Sequence, residues 1–298
     1  MSIIAVGSVA YDSLKTPYGE RERVLGGSAT YFSIGASLFN HVNLVGVVGE
    51  DFDDADLNLL KSRNVSLEGL VHRPGKTFFW KGEYGKNLNE AITHDTQLNV
   101  FAEFDPEIPA TYMDSDIVFL GNIHPTLQGK VIEQAGEGRF VACDTMNLWI
   151  NETRDELLKV LRHTDILFVN EGEAKLLTGE PNTIRTGRSI LKMGPKLVCI
   201  KRGEFGSILM DRDNIAMVPA FPVEKVVDPT GAGDTFAAGF LGHVARIGRF
   251  DFETFREAVK VGTVLSSIEI EDFSVERLKT ITMEEIDKRL EEYRKIIS

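Results

Sequence analysis

Short apolar runs alternate with amphipathic stretches along most of the chain. The runs are IIAV (3–6), VNLVGVV (42–48), DIVFLG (116–121), FVACD (140–144), DILFVN (165–170) and KLVCIK (196–201). Most are β-branched and continuous rather than alternating, which is how strands covered on both faces read. Amphipathic segments at 53–62, 127–135, 155–162 and 171–178 lie between them. That order predicts βαβ units on a mostly parallel sheet, an α/β fold. Helix-like segments at 232–246, 252–268 and 283–297 follow, the last a solvated closing element.

Two stretches break the pattern. Residues 9–25 (VAYDSLKTPYGERERVL) and 76–104 (KTFFWKGEYGKNLNEAITHDTQLNVFAEF) are polar, turn-rich and aromatic, with hairpin-like rather than helical sequences. They read either as two parts of one small sheet projecting as a lid or as a pair of ordinary surface loops. No internal repeat, low-complexity tract or linker divides residues 1–298, so a single domain is expected.

Composition narrows the function classes. With 43% hydrophobic and 26% charged residues the chain is an ordinary globular protein, and no run of about 18 apolar residues offers a membrane span. The start, MSIIAVGSVAYD, lacks a basic region and enters an apolar strand directly, so no secretory signal is expected and the reading is cytoplasmic. Cys143 and Cys199 each lie in an apolar run and read as small buried hydrophobes, with neither a disulfide framework nor a zinc site indicated. A formal charge of -12 disfavours nucleic acid as a partner, because phosphate neutralisation needs clustered Lys and Arg. A small anion held locally is still compatible.

The chemistry-bearing stretch is VVDPTGAGDTFAAGF (226–240). A strand-like VV leads into Asp-Pro-Thr, then Gly231, Ala232 and Gly233, then a helix-forming run. Glycines let backbone N–H groups turn toward one point, and a helix N-terminus adds partial positive charge there, which makes an anion cradle. Asp234 falls in the first helical turn, where an acidic side chain is favoured as a cap. Local physics leaves cap and functional carboxylate equally open.

DPTGAGD followed by TFAAGF closely resembles the C-terminal motif of the ribokinase (PfkB) family of sugar and nucleoside kinases. Three further segments resemble family motifs in the same order: LGGSATYFSIGASLF (25–39), with LVGVVGEDFDD after it, NEGEA (170–174) and KRGEFG (201–206). The resemblance covers nearly the whole chain. It implies a ribokinase-like three-layer α/β/α domain with a small β-sheet lid, and ATP-dependent, Mg²⁺-requiring transfer of the γ-phosphate to a hydroxyl, a primary one of a sugar or sugar-like acceptor. By position it implies Asp234 as base, with the amides of Gly231, Ala232 and Gly233 as anion hole. Asn170 and Glu173 would organise Mg²⁺ and phosphate through water. Lys201 would contact phosphate; Gly203, Gly206, Thr230 and Thr263 would lie along the nucleotide. Asp228 reads as loop scaffold or as an aid to placing a cation.

The acceptor is less defined by the same resemblance. Asp12 matches a substrate-binding aspartate, and Gly26 and Gly27 the motif that approaches the acceptor. Ala10 and Ser28 stand where ribokinases carry asparagine and lysine, which argues against ribose itself. Tyr31, Asn122 and His124 complete the expected pocket, with Phe79 and Trp80 either stacking on a nucleobase or packing within the lid. His124 reads as a substrate contact or a satisfied polar residue. A nucleoside acceptor is the competing reading. A non-catalytic sensor would be marked by loss of the base or of the Asn-Glu element, and both are present. Relatives often dimerise through the lid, and the aromatic content of 76–104 is compatible with a homodimer. The Gly-Ala turn that completes a potassium site in relatives is absent from VKVGTVLSSIEIEDFS (259–274), so no potassium requirement is inferred.

Overall fold

A computed structural model describes all 298 residues. The chain opens with β1 (Ile3–Val6), β2 (Ala10–Thr16), β3 (Gly19–Gly26), α1 (Ser28–Ala36), β4 (Val42–Val48), α2 (Asp54–Ser62) and β5 (Val65–His72). It continues through β6 (Phe78–Tyr84), β7 (Ala91–Gln97), β8 (Ile117–Leu120), α3 (Pro125–Ala135), β9 (Phe140–Asp144), α4 (Asn147–Glu152), α5 (Arg154–Leu161) and β10 (Ile166–Asn170). Then come α6 (Glu171–Thr178), α7 (Thr183–Met193), β11 (Leu197–Lys201), β12 (Ser207–Met210) and β13 (Ile215–Val218). The helices α8 (Ala232–Ile247), α9 (Phe252–Glu269), α10 (Glu276–Thr280) and α11 (Met283–Ile296) complete it.

Nine strands form the main sheet in the order β13-β12-β11-β10-β9-β8-β1-β4-β5. The seven from β11 to β5 pair in parallel, and β12 and β13 add an antiparallel edge. Side chains alternate across each strand, so one run feeds two cores. Ile3, Ala5, Phe119, Phe168 and Cys199 pack with α1, α8 and α9 on one face. Ile4, Val6, Leu120, Cys143 and Val169 pack with α3, α5 and α6 on the other. This is the expected three-layer sandwich, and it explains why the six central runs read as continuously apolar. Both cysteines are buried in it.

The two exceptional stretches make one small sheet, in the order β3-β2-β6-β7, rather than separate surface loops. The hairpins β2–β3 and β6–β7 join through parallel β2 and β6. One loop of the main domain anchors both. Asp51 Oδ1 accepts from the backbone amide and hydroxyl of Thr77, each at 2.7 Å. Asp53 pairs with Arg23 at 2.6 Å, and the Arg23 guanidinium lies 3.9 Å over the Tyr11 ring.

Departures from the predicted elements concentrate at edges and ends. β5 and β13 lack a continuous apolar run because they form the two edges of the sheet, where one face is half-exposed, whereas β12 is buried but only four residues long. The strand-like Val226–Val227 pair is not a strand: the Val227 amide donates to the Ile270 carbonyl at 2.8 Å, tying the glycine-rich turn to the end of α9. No helix is long and apolar enough to cross a membrane.

Candidate active site

The turn before α8 is held from below. Asp228, fully buried, accepts from the Thr230 amide through Oδ1 and from the Ser274 amide through Oδ2, both at 2.9 Å. Two backbone donors on one carboxylate fix the loop, so Asp228 is scaffold here. Gly231, at φ 84°, is the residue before the first turn of α8, and a Cβ there would collide with the Tyr31 ring directly beneath. Only glycine combines that conformation with that contact. The Ala232 amide turns back to the Pro229 carbonyl at 3.2 Å, while the Gly231 and Gly233 amides donate to no protein acceptor. Thus two of the three expected anion-hole amides are free, next to the first turn of a 16-residue helix.

The Asp234 side chain engages at most its own amide and no other residue's, so the geometry leaves its carboxylate available rather than spent as a cap. Its surroundings come from three neighbouring parallel strands. Asp144, Asn170 and Lys201 stand at the C-terminal ends of β9, β10 and β11, with Asn170 opposite Lys201 in the register and Phe168 opposite Asp144. The C-terminal edge of a parallel sheet is where such folds gather ligands. Lys201 Nζ lies 3.2 Å from Asp144 Oδ2 and 2.8 Å from where a Cβ would stand on Gly233. Asn170 and Glu173 form a reciprocal capping box: the Asn170 amide donates to Glu173 Oε2 at 2.9 Å and the Glu173 amide to Asn170 Oδ1 at 2.8 Å.

The electrostatics follow from that crowding. Burial, then the Asp144 charge, push the Asp234 carboxyl well above the ordinary range, against the pull of Lys201. Glu173 is pushed up to about 7 by burial and Asp144. Burial depresses Lys201, but Asp144, Glu173 and Asp234 outweigh it and hold the ammonium above the usual lysine value. Three carboxylates thus face one lysine, a surplus of negative charge that suits a divalent cation. No cluster of three acidic, histidine or cysteine side chains converges as a metal cage. Asp144 and Glu173, beside Asn170, fit a Mg²⁺ ion that keeps several waters.

The residues expected at the acceptor come from the lid and from loops. Asp12, on β2, is 4% exposed and packs against Gly26; burial, then the nearby Asp228 charge, push its pKa up to about 8. Gly27, at φ 97°, starts α1 where a Cβ would run into the Ser8 carbonyl. Tyr31 is 1% exposed and presents no open ring face; it supports the glycine-rich turn, with its hydroxyl unpartnered. Phe79 packs on the main core, and Trp80 on Leu14, Val227 and Phe273, its indole donating to Thr93 Oγ1 at 3.2 Å. Both therefore serve lid packing in this structure. Asn122 and His124 stand together after β8, where His124 Nδ1 accepts from the Thr126 amide at 3.2 Å and caps α3.

Of the residues expected along the nucleotide, Gly203 and Gly206 bracket a tight turn closed by the Arg202 amide on the Gly206 carbonyl at 2.7 Å. Thr263, 7% exposed, spends its hydroxyl on the Val259 carbonyl within α9. The lid reaches across both halves: Thr230 Oγ1 donates to the Tyr84 hydroxyl at 3.3 Å, and a Cβ on Gly203 would meet the Asn89 side chain. Tyr84, Asn89 and Asp144 were not singled out in the sequence. Asp144 had a usable signal, a carboxylate closing an apolar parallel strand, whereas the lid residues had none. Glu269, fully buried with both carboxylate oxygens unpartnered, is held well above the ordinary range by burial, Asp228 and Asp234.

A mostly parallel sheet with a helix N-terminal anion cradle and an aspartate beside it suits phosphoryl transfer. The comparisons specify the family. The family profile described as pfkB family carbohydrate kinase matches residues 2–280, and the chain belongs to that family. Among curated relatives, the cytidine kinase of Thermococcus kodakarensis is 31% identical over 253 residues, 83% of this chain and 89% of that one. The crystal structure of the Methanocaldococcus jannaschii nucleoside kinase superposes with a TM-score of 0.78 at 22% identity, covering 98% of both chains. A putative ribokinase II from E. coli, solved in complex with ATP and Mg²⁺, gives 0.80 at 20% identity over 98% of this chain and 99% of that one. The protein is a sugar or nucleoside kinase of the PfkB family.

Proposed function

We propose that the chain is an ATP-dependent nucleoside kinase that phosphorylates a primary hydroxyl. The observation carrying this reading is the 31% identity to a cytidine kinase along most of both chains. Asp234 accepts the acceptor's hydroxyl proton as the oxygen attacks the γ-phosphorus. A carboxylate suffices because positioning matters more than basicity in a loose transition state, and burial with the Asp144 charge makes it more basic than an ordinary carboxylate. The Gly231 and Gly233 amides and the Lys201 ammonium meet charge on the transferring group. Bound through Asp144, Glu173 and Asn170, Mg²⁺ would neutralise phosphate oxygens. Asp12 binds an acceptor hydroxyl, and the lid excludes water that would compete as acceptor.

A sugar acceptor is the second reading, favoured by Phe79 and Trp80, which are engaged in the lid instead of offering a free face to a base. A coupled assay of ATP consumption across cytidine, other nucleosides, pentoses, hexoses and sugar acids separates the two. Turnover highest on cytidine or another nucleoside is the expected result; turnover confined to sugars overturns the nucleoside reading. A homodimer through the lid belongs to the same proposal, supported by the open edges of β3 and β7 and the exposed Ile92, and light scattering tests it.

A further inference from the structure

Trp149 lies on α4, in the loop that follows Asp144, and had no role in the sequence reading. Its indole nitrogen donates to Asn122 Oδ1 at 2.7 Å. Indole N–H is a donor with no acceptor capacity, so the amide atom facing it must be oxygen. That fixes the Asn122 amide in one orientation. Its NH2 then lies on the other side, where one contact is the weak acceptor Met146 Sδ at 3.1 Å. The His124 ring packs edge-on against Trp149 at 5.2 Å. With Nδ1 accepting from the Thr126 amide, the neutral His124 ring carries its proton on Nε2. Both polar residues of this wall therefore offer donors.

The wall borders the acceptor end by connection as well as by sequence. The buried Gln128 amide donates to the Gly121 and Asp144 carbonyls, each at 3.0 Å, and so locks the loop carrying Asn122 to the loop carrying Trp149. Gly121 in turn approaches Ser28, beside Gly27: a Cβ on Gly121 would lie 2.9 Å from Ser28 Oγ.

We propose that Trp149 is a positioning residue that holds the Asn122 amide with its NH2 toward the acceptor, so that this wall selects acceptors carrying a carbonyl oxygen, such as that of a pyrimidine base. The inference rests on the reading of Asn122 as an acceptor contact.

The test compares Trp149→Phe, Asn122→Asp and Asn122→Ala in steady-state kinetics with cytidine and ATP. Trp149→Phe leaves the amide free to flip, and the cytidine KM should rise about tenfold, the worth of one well-placed hydrogen bond, with kcat and the ATP KM changed less than about twofold. Asn122→Asp still accepts from the indole but has no donor, and should raise the cytidine KM at least as much. Adding Trp149→Phe to Asn122→Asp should then cost nothing further. If Asn122→Ala raises the cytidine KM while Trp149→Phe leaves it unchanged, the positioning role is overturned and the acceptor reading stands. If Asn122→Ala also leaves it unchanged, both fall. Turnover by the wild-type chain only on acceptors without a carbonyl or carboxylate oxygen overturns the carbonyl-reading wall.

Discussion

The proposed phosphoryl-transfer end and the proposed acceptor end of the site are built in opposite ways. Asp144, Asn170 and Lys201 come from the C-terminal ends of adjacent parallel strands, and Asp234 with its amides from one continuous turn and helix. The acceptor end draws Asp12 from the lid sheet, Gly27 from the start of α1, and Asn122 and His124 from a loop locked by Gln128 and Trp149. On the proposed roles, the chemistry sits on the rigid sheet edge and recognition on pieces that can change without disturbing the sheet.

The largest expected effect falls at the sheet edge. Asp234→Asn should lower kcat by about 10³-fold, the range for removing a positioned base, while ATP affinity measured by calorimetry stays close to wild type. Near-normal turnover would remove Asp234 from the chemistry. Gly231→Ala comes next: a Cβ driven into Tyr31 at positive φ should cost about 1–3 kcal/mol of stability and about 10²-fold in turnover, because the loop must shift to admit it. A variant with unchanged melting temperature and turnover would show that the turn is not held from beneath.

A smaller effect sharpens the acceptor side. Asp12 titrates at about 8 in the fold against about 4 when unfolded, so the folded state binds more protons between those values. Its contribution to stability is present below about pH 4 and is lost as pH rises toward 8. Glu173, pushed up to about 7, acts with the same sign. Asp12→Asn should therefore raise the melting temperature of the ligand-free protein by about 5 °C at pH 9, with little change at pH 5. Equal shifts at both values would contradict the burial of a costly charge.

The same contrast explains what could be read in advance. Doubly covered strands such as 42–48 and 140–144 coincide with predicted runs, because burial on both faces removes polar positions. β5 and β13 escaped because an exposed edge mixes them. At the site, Gly231 through Asp234 were legible since one short turn carries both geometry and charge. Tyr31 was expected at the acceptor, yet it lies buried under Gly231, about 200 residues away in sequence, and no local pattern encodes which face of α1 meets that turn. The Trp149–Asn122 bond was invisible for the same reason.

The central claim is that Asp234 is the base, that burial raises its proton affinity, and that the Asp144 charge raises it further against the pull of Lys201. The pH dependence of kcat/KM for cytidine, in wild type and in Asp144→Asn, tests this most directly. Wild type should lose activity on acidification through a limb above the ordinary carboxylate range. Removing Asp144 takes away a charge that raises Asp234 and frees Lys201 to lower it, so the limb should move to lower pH. A limb at the same pH in both proteins would contradict the account.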